Sequence, residues 1–337
     1  MTKVPLRLVG GLGSPYTMKM RAILRYRRIP HMFQMRNGAI AEEVAHVKPR
    51  LIPMLKFSDD EGWRVDSTPM AYELEARYED DRSIVPTDPA QRFLSDLIED
   101  FADEWLTKAM FHYRWYYAAD RDFSSGWIAA DNVLGPDGQV ARKAFATRIC
   151  ERQVSRMAMV GCTDENRAAI ERSFEMLIDR MEPAVGFGQF LFGTRPSLAD
   201  FGLFGQLKTL SDDPTGQQIM RQRTPTLVHW IRQGDDLSGV DGAWHQGDIP
   251  AVVKSIVALS ARTYLPFMQA NLETLQSGAE KVRLELLGET YEQAPFRYQG
   301  KTYTRLKSLY EQLTGAAREQ VDAVLDAVDA KAYFSSA

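Results

Sequence analysis

The pattern of apolar residues changes between residues 82 and 90 of this chain, and that change limits what the chain can fold into. Residues 5–82 alternate short runs typical of strands with segments whose apolar residues recur at three-to-four spacing, as in helices. From about residue 90 to 235 only the helical spacing continues. A segment with two prolines, Ser83–Pro89, separates the two patterns. The sequence therefore predicts a small α/β module followed by an all-helical domain.

The order of segments predicts how the sheet of the first module is connected. Residues 5–10 and 31–36 resemble strands, and the helical segment 17–28 joins them. A helical crossover predicts that these two strands are parallel. Residues 52–59 and 62–66 lie on either side of an acidic turn and predict an antiparallel hairpin. The module is thus expected to contain a mixed sheet of four strands.

The C-terminal part of the chain predicts a third, ordered region. Residues 250–276 have helical spacing, residues 281–288 and 296–303 resemble two strands with a turn at Gln299–Gly300, and a final helix is expected near 304–329. Six aromatic residues are spread through these segments: Tyr264, Phe267, Tyr291, Phe296, Tyr303 and Tyr310. Side chains of this size need burial, so this region is not expected to be a disordered tail.

Composition excludes several classes of function. With 41 basic and 45 acidic residues the net charge is −4, which argues against a protein that mainly coats nucleic acid or anionic membrane. The apolar stretch 249–261 contains Lys254 and is shorter than the ~20 residues that span a bilayer. Cys150 and Cys162 cannot form a disulfide framework or a four-cysteine zinc site, and the histidines lack paired ligand spacing. We therefore expect no metal, no membrane segment and a cytoplasmic protein.

The N-terminal residues have a strong local charge. The first 41 residues contain eight Lys and Arg and no Asp or Glu. A transit peptide can have this composition, but the strand-then-helix pattern within it favours mature structure. These residues are expected to create positive potential around the first turn of the module.

Four short segments follow one another along residues 5–235. They are Gly-Ser-Pro-Tyr at 13–16, Leu-Ile-Pro-Met-Leu at 51–55, Asp66-Ser67 and Ser-Leu-Ala-Asp at 197–200. Together, and in this order, they resemble the glutathione S-transferase superfamily in its serine-type, bacterial-like form. Each segment alone is a weak signal, whereas four in the expected order are typical of the fold.

The resemblance implies a fold and a division into domains. An α/β thioredoxin-like domain that binds glutathione is expected over residues 1–82, and an all-α helical domain over residues 90–238. Residues 239–337 then form an additional α+β extension that this superfamily does not usually have, and its role is unknown. The resemblance also implies a homodimer, with the small domain of one subunit against the helical domain of the other.

Ser14 is the candidate catalytic residue. A serine at the start of a helix lies where backbone N–H groups are unpaired and the helix dipole is positive. A thiolate placed there gains a hydroxyl donor, and its pKa falls from about 8.5 toward neutrality. The resemblance implies that the thiol is that of glutathione and that Ser14 acts as a donor, not as a nucleophile. Tyr16 and Thr17 remain alternatives for this hydroxyl.

The segment around Pro53 is the candidate site for the peptide part of glutathione. The resemblance implies a cis bond between Ile52 and Pro53, which directs the N–H and C=O groups of Ile52 toward the cysteinyl backbone of the ligand. An X-Pro bond costs only about 0.5–1 kcal/mol to hold in the cis form. An ordinary trans proline at the start of a strand is the alternative. Arg50 or Lys48 is a further candidate, for the glycyl carboxylate.

Asp66 and Ser67 are the candidates for the γ-glutamyl group. They precede a predicted helix, 70–78, whose N-terminus favours an anion. Ser67 is expected to donate to the ligand carboxylate, and Asp66 to accept from the α-ammonium group. The structural alternative is that one of them only caps the helix. Ser197 and Asp200, in the fourth segment, are interpreted as a structural capping box.

The first long helical segment, 91–117, is rich in aromatic residues. By resemblance it flanks the cleft, so Met110, Phe111 and Arg114 are candidates for a hydrophobic-substrate site, with core packing as the alternative. The leading hypothesis is a glutathione transferase that uses glutathione as co-substrate against a small hydrophobic electrophile. A glutathione-dependent lyase or ether-cleaving enzyme is an alternative, since bacterial β-etherases share the Ser-Pro-Tyr turn and the Asp-Ser pair. A non-catalytic binding module is the other.

Overall fold

The computed structural model describes residues 5–60, 62–79, 81–135 and 138–335. The ends of the predicted first domain (1–4) and of the predicted extension (336–337) lie outside the described residues, as does one residue of the predicted acidic turn. The N-terminal module contains the elements β1 (Leu6–Gly10), α1 (Pro15–Tyr26), β2 (His31–Met35), α2 (Gly38–Glu43), β3 (Met54–Lys56), β4 (Trp63–Val65) and α3 (Ser67–Arg77).

The sheet has the topology that the sequence predicts. Its strand order is β2-β1-β3-β4, with β1 and β2 parallel and the β3–β4 hairpin antiparallel. The alternation of large apolar side chains in β1 leaves Leu6 and Leu8 fully buried, and they join the core that α1 and α3 complete. The sheet with its helices forms an α/β N-terminal domain.

A helical region follows the proline segment. It consists of α4 (Pro89–Phe101), α5 (Thr107–Tyr116), α6 (Ala118–Asn132), α7 (Gln139–Val154), α8 (Arg167–Met181), α9 (Leu198–Asp212), α10 (Pro214–Arg223) and α11 (Pro225–Gly234). A π-helical segment, Ala102–Leu106, joins α4 to α5, so the predicted helix 91–117 is continuous but locally widened. The capping box is confirmed: Ser197 and Asp200 exchange side chain–backbone hydrogen bonds at the start of α9.

The C-terminal region is ordered and consists of α12 (Ala251–Ser260), α13 (Tyr264–Ser277), β5 (Val282–Leu286), β6 (Glu289–Gln293), α14 (Arg297–Glu311) and α15 (Gly315–Asp326). The prediction of a strand over 296–303 is wrong, because these residues begin α14 and the hairpin closes earlier, between β5 and β6. Two successive residues with positive φ, Leu287 (55°) and Gly288 (82°), make that turn. Tyr303, Leu306 and Tyr310 then recur at helical spacing and are buried.

Two predicted helices of this region are each two helices. The segment 250–276 is interrupted between α12 and α13, and the final helix is divided between α14 and α15. Five of the six aromatic residues expected to need burial are buried, while Phe296 stays 39% exposed. On α4, Phe93 packs against Tyr310 and Phe101 against Tyr264, while Trp105 in the π-helical segment packs against Phe267 and Tyr291. The extension and the N-terminal module both contact α4, and Tyr72 and Arg305 even share the carboxylate of Asp96.

Candidate functional site

The predicted site residues emerge at one edge of the N-terminal sheet. Val9 of β1 pairs with Met54 of β3, and Met54 pairs with Val65 of β4. The chain therefore passes this edge three times: as it leaves β1 for the turn before Ser14, as it enters β3 through Pro53, and as it leaves β4 for Asp66. The register of the sheet brings three of the four sequence segments together.

Ser14 is the N-cap of α1. Its backbone is extended (φ −99°, ψ 117°), and its Oγ accepts a hydrogen bond of 3.2 Å from the N–H of Thr17. Pro15 follows at the first helical position, where a missing N–H costs nothing. Because Ser14 Oγ acts as acceptor toward the helix, its hydroxyl hydrogen is left for another acceptor at the positive end of α1.

The turn that presents Ser14 is held from both sides. A Cβ on Gly10 would lie 2.4 Å from Thr17 Cγ2, so only glycine lets the strand pass this close to α1. Arg114 is buried below the turn, where its Nη1 donates to the carbonyl of Gly13 (2.6 Å) and its Nε pairs with Asp213 (2.6 Å). The structure thus places Arg114, a candidate for the substrate site, as an anchor of the Ser14 turn.

The two neighbouring hydroxyls point elsewhere. Tyr16 is directed into the helical domain, where its OH donates to the carbonyl of Asp103 (2.9 Å). Burial, together with Asp103 and Glu104, raises the pKa of the Tyr16 phenol well above its usual value. Thr17 is fully buried, and its Oγ1 has no hydrogen-bond partner among the described residues. Of the three hydroxyls, the one at the helix start and sheet edge is that of Ser14.

The Ile52–Pro53 peptide bond is cis, as is Lys48–Pro49. The side chain of Ile52 lies close to the turn before Ser14: a Cβ added to Gly11 in that turn would be 3.5 Å from Ile52 Cδ1. Nearby, burial and the charge of Arg50 lower the pKa of Arg36, which follows β2 at the same edge. The basic potential that the sequence predicts around this turn is therefore partly supplied by Arg36 and Arg50.

Asp66 and Ser67 begin α3. Asp66 has a positive φ of 81°, unusual for a residue other than glycine. Ser67 is buried, and its Oγ accepts from Lys19 Nζ (3.3 Å) and lies 3.5 Å from Asp103 Oδ2, to which it donates. The serine is thus tied to a buried ionic group below the sheet edge.

That ionic group is a feature that the sequence reasoning missed. Lys19 of α1 pairs with Glu99 and with Asp103 (2.7 Å), which face it from the α4–α5 segment. Burial lowers the pKa of the lysine, but the two carboxylates outweigh burial and raise it overall. Acidic residues recur along this segment at helical spacing, namely Asp96, Glu99, Asp100, Asp103 and Glu104, and all five are buried. This spacing was the available signal, although it is equally typical of a solvated face.

The extension also reaches the site. Tyr298, near the start of α14, donates a 2.6 Å hydrogen bond from its OH to Asp66 Oδ2. Nothing in the local sequence distinguishes this tyrosine, because residues 296–303 resemble a strand. The contact depends on how α14 packs on α4 and is visible only in three dimensions.

The remaining candidates lie farther along the α4–α5 segment. Met110 is buried and Phe111 is partly buried against the core. A further side of the Ser14 turn is covered by α6, a helix that the sequence analysis does not predict: a Cβ placed on Gly13 would lie 3.0 Å from Trp127 and 3.2 Å from Ile128. The assignment of Met110 and Phe111 to a substrate site stays a prediction.

Within residues 5–60, 62–79, 81–135 and 138–335, no group of three or more His, Cys, Asp or Glu side chains is arranged to hold a metal ion. In the same residues, no helix has the length and apolar character needed to cross a membrane.

Family models match both parts of the fold. Residues 8–82 match the model of the glutathione S-transferase N-terminal domain, and residues 160–233 match the model of the glutathione S-transferase C-terminal domain. The chain belongs to the glutathione S-transferase superfamily. Its α/β module is the thioredoxin-like domain of that superfamily, and its helices form the C-terminal domain. A comparison of this chain with curated proteins finds no match.

Three solved structures are similar to this chain at low identity. The Tau class glutathione S-transferase of mango (Mangifera indica) is 16% identical, with 69% of this chain and 89% of that chain covered and a TM-score of 0.40. A β-etherase from a Sphingobium species is 18% identical, with 68% and 94% covered and a TM-score of 0.42. A glutathione transferase homologue from Drosophila mojavensis with bound glutathione is 16% identical, with 68% and 87% covered and a TM-score of 0.41.

Proposed function

We propose that this protein is a glutathione transferase in which Ser14 stabilises the glutathione thiolate for attack on a small hydrophobic electrophile. One observation carries the proposal: Ser14 Oγ accepts the N–H of Thr17 at the start of α1, at the sheet edge where Pro53 and Asp66 also emerge. The superfamily membership supports glutathione as the thiol.

The chemistry of the thiol follows from the N-terminus of α1. A thiolate near Ser14 receives the serine hydroxyl hydrogen and the unpaired N–H groups of the first turn. The helix dipole and the nearby Arg36 favour the negative charge, so the thiol loses its proton near neutral pH. The sulfur then forms a bond to an electrophilic carbon, whose leaving group departs with the electron pair. Activation of the thiol and proximity of the two substrates supply the rate.

The rest of glutathione would lie along the sheet edge. The backbone N–H and C=O of Ile52, before the cis Pro53, are assigned to the cysteinyl part of the ligand. Ser67 and the N-terminus of α3 are assigned to the γ-glutamyl carboxylate, and Asp66 to the α-ammonium group. Arg50 or Lys48 is assigned to the glycyl carboxylate.

Four further predictions accompany the proposal. The electrophile is expected to lie against Met110, Phe111 and Arg114. The protein is expected to be cytoplasmic and to need no metal. It is also expected to be a homodimer, which sedimentation equilibrium tests directly: a mass of one chain would contradict it.

The proposal is tested by calorimetric titration of the full chain with glutathione, followed by turnover assays with an aryl halide, an epoxide and an unsaturated ketone. We expect a Kd in the millimolar range or tighter and turnover of at least one electrophile. Ser14→Ala should reduce kcat/KM at least about tenfold, since one hydroxyl donor to a developing charge is worth a few kcal/mol. No binding of glutathione would contradict the proposal, and binding without turnover would indicate a binding module.

A further inference from the structure

The extension supplies a side chain to the candidate glutathione site. Tyr298 OH donates to Asp66 Oδ2 at 2.6 Å, and Asp66 is the carboxylate assigned to the ligand's α-ammonium group. We infer that Tyr298 is a positioning residue for Asp66, so that the extension is a working part of the glutathione site. This inference rests on the proposed function and adds to it a residue from outside both domains of the superfamily.

A row of polar contacts fixes α14 along α4 and the π-helical segment that follows it. Gln299 donates to the carbonyl of Glu104 (3.3 Å), Thr302 to Asp100 (3.4 Å) and Arg305 to Asp96 (3.0 Å). As the residue number rises along α14 it falls along α4, so the helices are antiparallel and in a single register. A slip of α14 by one residue would break all three contacts, and the buried carboxylates of Asp96 and Asp100 would each lose one of their two hydrogen-bond donors.

The start of α14 is fixed as well. Asn271 of α13 makes two hydrogen bonds to the backbone of Phe296, accepting its N–H (2.7 Å) and donating to its carbonyl (3.1 Å). Tyr298 lies two residues later, in the first turn of the helix. The position of its phenol is therefore set by two helices of the extension, not by a free loop.

The Asp66 carboxylate needs such a partner. Its backbone has a positive φ, and its other oxygen, Oδ1, accepts no hydrogen bond from the described residues. When Tyr298 holds Oδ2, the plane of the carboxylate is fixed and Oδ1 is left for an N–H donor of the ligand. A fixed acceptor loses less conformational entropy on binding than a mobile one, which increases affinity.

The Tyr298 phenol is held in its donor form. Burial and the Asp66 carboxylate raise the pKa of the phenol, so it stays protonated and donates to Asp66 Oδ2.

The test compares two ligands and two tyrosines of α14 by calorimetric titration of the full chain. The ligands are glutathione and an analogue in which hydrogen replaces the α-amino group. The variants are Tyr298→Phe and, as a matched control, Tyr310→Phe, whose hydroxyl donates to Asp322 at the other end of α14. Tyr298 is 37% exposed, so its variant is expected to fold, and thermal melting checks this.

We expect Tyr298→Phe to weaken glutathione about five- to twentyfold, to leave the analogue within about twofold, and Tyr310→Phe to change neither. Equal affinity of glutathione for Tyr298→Phe and the wild type would overturn the inference. So would tighter binding, which would mean that the phenol competes with the ligand, or an equal loss for both ligands, which would mean a general structural role. No binding of either ligand to the wild type would overturn the proposed function and, with it, this inference.

Discussion

At the scale of single residues, the acidic side chains of α4 and of the π-helical segment after it are the least expected feature of this protein. Asp96, Glu99, Asp100, Asp103 and Glu104 are all buried. A buried carboxylate needs a cation or hydrogen-bond donors, and here they come from distant parts of the chain. Lys19 lies 80 residues from Glu99, and Arg305 lies 209 residues from Asp96. These residues therefore connect three parts of the chain.

The pKa of one of these residues, Asp100, predicts how the free energy of unfolding depends on pH. Burial raises the pKa of Asp100 to about 7. The hydrogen bond from Tyr264 lowers this pKa, and the charge of Glu99 raises it, but both effects are smaller than that of burial. In the unfolded chain an aspartate ionises near pH 3.9. Between these values the folded state holds a proton that the unfolded state does not, so Asp100 lowers the free energy of unfolding as the pH rises toward 7.

Asp100→Asn keeps an acceptor for Tyr264 but cannot ionise. We expect the free energy of unfolding of the variant, minus that of the wild type, to increase as the pH is raised from 5 to 8. The increase should be on the order of 3 kcal/mol. Urea unfolding of both proteins at several pH values measures this. A difference in the free energy of unfolding that stays constant with pH would contradict the prediction.

At the scale of elements, local patterns predict some parts of this fold and not others. The strands and helices of the N-terminal module are predicted correctly because alternation, glycine and proline act within a few residues. The start of α14 is not, because Phe296, Tyr298 and Tyr303 favour a strand locally while their helical form depends on packing against α4. For the same reason the sequence indicates Asp66 as a site residue but does not indicate Tyr298.

The β5–β6 turn predicts how much stability a residue other than glycine would cost at a position with positive φ. Gly288 has a φ of 82°, and an added methyl group meets no atom within 4 Å, so Gly288→Ala tests backbone strain alone. We expect it to destabilise the protein by about 1 kcal/mol. Gly126→Ala is the matched control, since Gly126 lies inside α6 with equally open space. There alanine should stabilise by about 0.5–1 kcal/mol. Equal effects of the two substitutions in chemical denaturation would contradict this account of the turn.

At the scale of the whole molecule, α4 is the helix that both the N-terminal module and the extension contact. The N-terminal module contacts it through Lys19, and the extension covers it with aromatic residues such as Tyr264 and Tyr310. The length and aromatic content of the extension predict that it is ordered, but they do not predict which surface it covers. That surface includes Asp66, so the extension is connected to the candidate site.

The extension is therefore expected to be needed for folding. A chain that ends at residue 238 would expose the apolar and acidic face of α4 that α12–α15 cover. We expect this shortened chain to bind a hydrophobic dye, to lose near-ultraviolet circular dichroism and to unfold without a cooperative transition. A shortened chain with the spectrum and melting temperature of the full protein would contradict this.

The central claim is that Ser14 activates glutathione, and ultraviolet titration of the thiolate of bound glutathione tests it most directly. In the wild type we expect the bound thiol to ionise near pH 7, compared with about 8.5 for a free thiol. Thr17→Val removes a neighbouring hydroxyl that has no partner among the described residues and should leave that value unchanged. Ser14→Ala should return the pKa most of the way to that of the free thiol. A bound thiol in the wild type with the pKa of free glutathione, or one that Ser14→Ala does not change, would contradict the claim.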